Sequence, residues 1–538
     1  MKKLITSLVF AIAAICAYAQ SFQYEGINYN VLSASDKTCE LASYNDVSGD
    51  ITIPETVTYN NDQYTVTSIG EGAFINCSSL TEITLPEGLT SIGVGAFFGC
   101  RSLTEITLSE GLTSIGGWAF SDCTSLTSIT LPEGLTSIGD STFSGCARLT
   151  SITLPEGLTS IGNLAFSDCA GLTSINIPKR VTSIRTSAFS GCTSLTAINV
   201  ASENQVYASI DGVLFSKDFT ILIQCPAGKS GDYIVPEGVT SIGDWAFEWC
   251  KSLTSITVPE GLTSIGDCAF SRCQSLTYIN VAEGNNYYAS IDGVLFSKDL
   301  KTLITYPGGR GGEYSVPEGV TSIGGWAFAY CESLTSITLP EGLTSIGDAA
   351  FYKCAALTEI TLPEGLTSIG NYAFCGCQSL ISITLPEGIV SIEFAAFYEC
   401  TSLASITLPE SLTSIRDLAF NGCKSLSTVN SYATTPPVCD GEMVFYEIPS
   451  DATLHVPVGT KAVYAASTGW SVFNNIIDDL VVQSGIEEIK TETETIDTDD
   501  SVVVYNLQGH RVNVSRRSDL PSLPAGIYIV GDKKVLVK

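Results

Sequence analysis

Histidine, methionine and positive charge are scarce in this sequence. Its 538 residues include two histidines, His455 and His510, two methionines, and 26 lysines and arginines against 56 acidic residues, which gives a net charge of −30. Two histidines exclude most Ser-His-Asp, Cys-His and His-metal arrangements. The acidic balance argues against nucleic acid and anionic membranes as partners. We therefore predict no enzyme, no metal site, no cofactor and no nucleic-acid partner.

Long apolar runs are also absent after the first residues, so we expect no transmembrane span. Residues 1–19 read MKKLITSLVFAIAAICAYA: a positively charged start, a short apolar stretch and a small-x-small ending. That order is typical of a secretory signal peptide. A lipoprotein interpretation would use Cys16, but the bulky Ile15 directly precedes it. We expect an exported protein, at the outer cell surface or secreted.

Cysteine marks an internal repeat. Thirteen of the 19 cysteines follow one another at 23-residue steps, except for two steps of 58 residues, which is 23 plus 35. They are Cys77, Cys100, Cys123, Cys146, Cys169, Cys192, Cys250, Cys273, Cys331, Cys354, Cys377, Cys400 and Cys423. The same 35-residue insert therefore occurs twice, at about residues 199–235 and 280–316.

Each repeat carries seven apolar positions and one turn. In the repeat that starts at Cys123, the apolar residues are Leu126, Ile129, Leu131, Leu135, Ile138, Phe143 and Cys146. The spacing L-x-x-I-x-L is the strand pattern of a leucine-rich repeat, and the Thr-rich, β-branched LTSITL favours a strand. Pro132 and Gly134 predict a turn before a second extended stretch, LTSIG. We predict a leucine-rich repeat solenoid, mostly β with short helical turns, in which stacked repeats bury a shared core.

The cysteines of the repeat are predicted to be buried, structural side chains. Equivalent cysteines in stacked repeats would have parallel Cβ directions, a poor geometry for a disulfide, and cysteine is a common small core residue. Five cysteines lie outside this register and remain the candidates for any disulfide or reactive thiol: Cys39, Cys225, Cys268, Cys375 and Cys439.

The repeat CxSLTxIxLPEGLTSIGxxAFxxC resembles the BspA-like leucine-rich repeat, a 23-residue bacterial class. The resemblance covers roughly residues 67–431. It implies a bacterial surface or secreted protein, and several members of the class are adhesins for host matrix proteins or for other bacteria. The family brings no catalytic residues.

The segments before and after the repeats are predicted to form two caps, a linker and a tail. Residues 20–66 and 431–480 are predicted to cap the two ends of the solenoid (67–430), which would otherwise expose strand edges; His455 lies in the second cap as a packing or surface residue. Residues 481–500 are acidic and polar and predict a linker. The tail, 501–538, resembles the C-terminal sorting segment of type IX secretion cargo in its GIYIV and KVLVK elements. A small terminal β module is the alternative.

Aromatic residues occupy the few repeat positions that vary, namely the two residues after Ile-Gly and the two between Phe and Cys. We take these aromatic windows as the candidate binding face, because aromatic side chains give large contact area at low entropic cost. The candidates are Phe98, Trp118, Trp245, Trp249, Trp326, Tyr330, Tyr352, Tyr372 and Tyr398. Trp245 and Trp249, and likewise Trp326 and Tyr330, follow an insert, and covering that insert is the alternative role for all four. Each insert predicts a hairpin around Ser-Lys-Asp.

A glutamate recurs in the Pro-Glu-Gly turn. The row comprises Glu87, Glu110, Glu133, Glu156, Glu237, Glu260, Glu318, Glu341, Glu364, Glu387 and Glu410. It is either a solvated acidic edge that resists aggregation or a weak site for divalent cations. The leading functional prediction is a non-catalytic surface protein that binds a host matrix protein, a bacterial surface protein or a glycan. A purely structural surface-layer or spacer protein is the alternative.

Overall fold

The computed structural model describes residues 20–44 and 47–481, and the backbone of four strands in the tail: Val504–Asn506, Arg511–Val512, Gly526–Val530 and Lys533–Val537. The predicted signal peptide, with Cys16, and the predicted linker beyond residue 481 lie outside the described residues. The chain forms two units, Met1–Asp478 and Asp479–Lys538. In the second unit the four strands form one antiparallel sheet.

Two ladders of short, mostly parallel strands run through the first unit. The first ladder, from the L-x-x-I-x-L segments, comprises Ser48–Thr52, Ser79–Thr84, Glu105–Thr107, Ser128–Ile129, Ser174–Ile177, Ala197–Val200, Ser230–Ile234, Ser252–Val258, Tyr278–Val281, Gly312–Ser315, Leu334–Thr338, Glu359–Ile360, Ser382–Thr384, Ser405–Leu408, Thr428–Ser431, Thr453–Pro457 and Asn475–Leu480. The second ladder, from the T-S-I-G segments, comprises Asp62–Ile69, Ser91–Ile92, Ser114–Ile115, Ser137–Ile138, Ser160–Ile161, Ser183–Ile184, Ile221–Gln224, Ser241–Ile242, Ser264–Ile265, Thr302–Thr305, Ser322–Ile323, Ser345–Ile346, Ser368–Ile369, Ser391–Ile392, Ser414–Arg416 and Val438–Asp440. Regular partners lie one repeat apart, as Ile92 with Ile115 and Ile383 with Ile406.

A third ladder joins the Ala-Phe segments through backbone hydrogen bonds. The N–H groups of Trp118 and Phe120 donate to carbonyls of the next repeat at 2.9 Å, and the intervening Ala119 donates to the carbonyl three residues earlier. This alternation places two residues of each regular repeat in the left-handed region, such as Trp118 at φ 55° and Asp122 at φ 58°. The predicted short helical turns are therefore consecutive tight turns. Among the described residues, the helices are Lys461–Ala466 and the 3₁₀ turn Trp470–Val472.

The predicted core positions are buried. The seven apolar side chains of the repeat that starts at Cys123 are at most 5 % exposed, and the same rows are buried in most other repeats, with half-buried exceptions such as Ile184 and Ile265. The phenylalanines stack face to face from Phe74 to Phe189, with ring centroids 5.1–5.7 Å apart. A second stack runs from Phe328 to Phe445 at 4.9–5.4 Å. Repetition thus builds the core.

Each insert is a three-stranded antiparallel meander whose third strand belongs to the second ladder. In the first insert, Tyr207–Ile210 pairs with Val213–Ser216, which pairs with Ile221–Gln224 around the predicted Ser-Lys-Asp turn. The second insert repeats this arrangement with Tyr288–Ile291, Val294–Ser297 and Thr302–Thr305. The other turn, Asp211-Gly212, has φ 49° and 77°. The prediction from Ser-Lys-Asp missed this second turn, although Asp-Gly is a strong hairpin signal.

Both ends of the first unit carry extra structure. At the start, Ser21–Tyr24, Ile27–Ser33, Thr38–Ser43 and Thr56–Tyr59 join the sheet of the second ladder. At the other end, the fully buried Trp470 packs on Phe445 at 5.3 Å and its indole N–H donates to the Pro437 carbonyl at 2.8 Å. Trp470 therefore closes the second phenylalanine stack. Across the described residues, no helix is long and apolar enough to cross a membrane.

Candidate functional site

The nine candidate aromatic residues differ in exposure. Trp118 and Tyr372 are the most open, at 47 % and 39 % exposed, and Tyr330 is buried. Phe98, Trp245, Trp249, Trp326, Tyr352 and Tyr398 are half-buried. The open pair offers the most side-chain surface to a partner.

Five of the candidates form one connected group, which we call the central cluster: Trp245, Trp249, Trp326, Tyr330 and Tyr352. The Trp245 and Trp326 rings meet edge to face at 5.8 Å, although Cys268 occupies their position in the repeat between them. Tyr352 contacts Trp326 at 5.6 Å and Tyr330 at 5.4 Å. Trp326 also lines a cavity with Tyr306 of the second insert. These side chains thus pack on one another, and Trp326 lies beside the insert as well.

Arg272 links the two halves of the central cluster. Its guanidinium lies 4.2 Å from the Trp249 ring centroid and 4.3 Å from that of Tyr330, and it donates to the Tyr330 hydroxyl at 2.8 Å. Lys251 lies over Trp249 at 4.4 Å, and Lys353 lies 5.5 Å from the Tyr352 ring centroid. Cation–π contacts of this kind contribute about 0.5–2 kcal/mol each. In a chain with a net charge of −30, the cluster concentrates three cations among aromatic rings.

Backbone strain coincides with many of the candidates. Trp118, Trp245, Trp326 and Tyr372 have φ between 55° and 59°, and Trp249 and Tyr330 have φ 65° and 59°. A residue with a Cβ is less stable in this region by roughly 1–2 kcal/mol. Glycine fills the same positions elsewhere, as Gly95 does one repeat before Trp118. Large aromatic side chains therefore stand where backbone energetics favour glycine.

Glu248 is a buried carboxylate beside the central cluster. It accepts a hydrogen bond from the Ser190 hydroxyl at 2.5 Å across the first insert. Burial raises its pKa above the usual range, and the Ser190 hydrogen bond and the Arg272 charge act in the opposite direction. Neither Glu248 nor Arg272 was among the site residues predicted from the sequence. Both occupy the variable window between Phe and Cys, where the prediction from contact area singles out aromatic residues alone.

The glutamate row lies along exposed turns. Where neighbours interact, the carboxylate accepts a backbone N–H of the next turn, as Glu133 does from Glu156 at 3.3 Å and Glu387 from Glu410 at 3.3 Å. Within the described residues there is no group of three or more His, Cys, Asp or Glu side chains that could hold a metal ion. These contacts fit a solvated acidic edge better than a cation site.

The 23-residue register and the stacked phenylalanine core define a leucine-rich repeat solenoid. A model of the BspA type leucine-rich repeat region matches residues 67–196, 122–217, 229–307 and 312–434, which together span well over half of the sequence. The chain belongs to the BspA type leucine-rich repeat family.

Solved structures of bacterial leucine-rich repeat proteins are similar to the chain. A leucine-rich cell surface protein from Faecalibacterium prausnitzii is 30 % identical over 77 % of this chain and 94 % of its own, with a TM-score of 0.39. A leucine-rich repeat protein from Bacteroides ovatus is 27 % identical over 81 % and 99 %, with a TM-score of 0.32. One from Eubacterium ventriosum is 26 % identical over 66 % and 95 %, with a TM-score of 0.42. No curated protein matches the chain.

Proposed function

We propose that this chain is an exported, non-catalytic bacterial surface protein that binds a protein or glycan partner through its aromatic windows. The observation that carries the proposal is Trp118, whose indole is nearly half exposed on a left-handed backbone position that glycine fills in the preceding repeat. An exposed tryptophan gives a large contact area at low entropic cost. Family membership and the signal-like start of the chain support the surface location, and the tail is proposed as a type IX sorting segment.

Binding assays with single variants test the proposal. The purified protein is titrated onto immobilised host matrix proteins and onto other bacterial cells, and we expect saturable binding. Trp118→Ala and Tyr372→Ala should each weaken binding about tenfold, because exposed aromatic anchors contribute about 1–2 kcal/mol or more. Leu164→Ala is the matched control, since Leu164 is 42 % exposed at the same repeat position with φ 53°. Equal affinity in all four proteins would contradict the aromatic windows.

A structural spacer is the second candidate function. The two phenylalanine stacks and the 23-residue register favour it, because both stabilise a regular scaffold without any partner. A protein that binds none of these surfaces and assembles into regular arrays would support the spacer in place of the adhesin.

A further inference from the structure

The two insert junctions of the solenoid contain equivalent cavities, lined by residues that lie 81 positions apart in the sequence. Ile184 and Ile223 line the first cavity, of about 200 Å³. Ile265 and Ile304 line the second, of about 140 Å³. The chain therefore offers an internal comparison of two sites with the same backbone plan.

The charged lining differs between the two cavities. Arg185 and Asp244 line the first, which thus has one charge of each sign. At the second, Gly266 and Gly325 occupy the two equivalent positions. The charged side chain that lines the second cavity is Asp267, and no lysine, arginine or histidine is among the residues that line it. The second cavity therefore has an uncompensated negative charge.

Asp267 also lacks the contact that other aspartates make directly after Ile-Gly. The carboxylates of Asp140, Asp244 and Asp348 each accept a backbone N–H of the next turn, at 2.8, 2.9 and 2.7 Å. Asp267 lies in the repeat before the second insert, and within the described residues no hydrogen bond or ion pair reaches its carboxylate. This exposed carboxylate is thus available to a ligand.

The electrostatic environment of the second cavity is acidic. Burial raises the pKa of the Cys268 thiol, which lines the cavity, and the charges of Asp267, Glu248 and Asp244 raise it further. A potential that disfavours a thiolate favours a positive charge at the same place.

Aromatic rings complete the lining of the second cavity. Trp326 and Tyr306 both line it, and tryptophan is the aromatic side chain that attracts cations most strongly. Arg310 lies 5.5 Å from the Tyr306 ring centroid without lining the cavity. In the described chain no cation lies over the Trp326 ring, whereas Trp249 has Lys251 over it at 4.4 Å. A free carboxylate beside an unoccupied tryptophan ring suits an organic cation.

We propose that the cavity at the second junction binds an organic ammonium group. Asp267 accepts the N–H donors of the ammonium and balances its charge, and the Trp326 ring contributes a cation–π contact. A lysine side chain of another protein and an amino sugar both carry this group. The site shares Trp326 with the aromatic windows, but it does not depend on the partner proposed for Trp118 and Tyr372.

Thermal unfolding of the full chain with a small amine is the experiment. Propylammonium chloride at about 50 mM, against sodium chloride at the same concentration, should raise the Tm by about one degree or more, because a ligand of the folded state stabilises it by mass action. Propanol is the neutral control of similar size. N-acetyllysinamide against N-acetylnorleucinamide, and galactosamine against galactose, distinguish a lysine side chain from an amino sugar. Equal shifts with propylammonium and propanol, or none with either, would overturn the proposal.

Variants locate the effect, with each shift measured against the Tm of the same variant in sodium chloride. Asp267→Asn should abolish the propylammonium shift, because the amide keeps the shape but loses the charge. Asp140→Asn, at the same repeat position away from the inserts, should keep it. Trp326→Leu should at least halve it, and leucine is tolerated at this left-handed position, as Leu164 at φ 53° shows. A full shift in Asp267→Asn or in Trp326→Leu would refute this site.

The titration contains no partner protein or cell. Its failure would therefore leave the function proposed for Trp118 and Tyr372 standing, and loss of partner binding in those variants would leave the ammonium site standing.

Discussion

At the scale of single residues, the left-handed backbone positions carry a conformational cost for any residue with a Cβ. Each regular repeat needs this conformation just before the Ala-Phe pair and again just before the cysteine. The sequence fills these places with glycine in some repeats and with residues that carry a Cβ in others, both aromatic or aliphatic and polar or charged. Removing a Cβ should therefore cost less stability at a left-handed position than at an adjacent position with negative φ. Ala349 and Ala350 form a matched pair, because both are fully buried and only Ala349 has a positive φ, 51°.

Glycine substitution of this pair tests the strain. Ala350→Gly should lower the free energy of unfolding by about 1–2 kcal/mol, since it removes a buried methyl group and adds freedom to the unfolded chain. Ala349→Gly makes the same losses but regains the roughly 1–2 kcal/mol of left-handed strain, so we expect stability near that of the unmodified protein. Denaturant midpoints measure both. Equal losses in the two variants would show that the turn carries no such strain.

The repeat sequence already predicts the core and the turns, because Leu, Ile and Phe at fixed spacing can be buried only by stacking. It does not predict which aromatic residues meet. Trp245 and Trp326 contact each other although the Cys268 repeat and the second insert separate them in the sequence, and no local pattern encodes that contact. The candidate site was therefore predictable as a set of windows, whereas its cations and the buried Glu248 depended on three-dimensional neighbours.

The cysteine column has a physical role at the scale of the repeated element. The thiols of Cys123 and Cys146 donate to the carbonyls of Phe97 and Phe120 at 3.2 Å, and the same contact recurs in other repeats. The cysteine thus fills a small apolar space and satisfies a phenylalanine carbonyl. The five cysteines outside the register are also buried and free, and disulfides are absent among the described residues.

Thiol labelling tests this column. Burial raises the pKa of Cys146 to about 12 and that of Cys423 to about 12, so these groups remain protonated thiols at pH 8, and the thiolate is the reactive form. We expect iodoacetamide to leave the native protein unmodified at pH 8. In denaturant, with no reductant, it should label all 18 cysteines of the described chain. Partial labelling in denaturant would reveal disulfides, and rapid native labelling would contradict the burial.

At the scale of the first unit, stability depends more on keeping the 23-residue register than on the number of residues. Each regular turn pairs mainly with its neighbours, and repeat arrays of this kind have stabilities that are roughly sums over repeats and their interfaces. Interactions along the glutamate row are likewise between neighbouring turns. Neighbouring carboxylates about 5 Å apart repel by roughly 0.8 kcal/mol in water, and the backbone N–H of the next turn offsets this between Glu133 and Glu156.

Deleting a whole repeat should therefore destabilise the protein less than deleting half of one. Deleting residues 124–146 joins Cys123 to Ala147, the residue after the next cysteine, so every strand keeps a partner at the 23-residue step. We expect a folded protein with its β-sheet circular dichroism intact and a Tm within a few degrees of the original. Deleting only residues 124–134 removes Leu126, Ile129 and Leu131 and leaves the strands on both sides without a partner in the first ladder. That smaller deletion should lower the Tm far more, and the opposite ranking would show that the repeats are not interchangeable units.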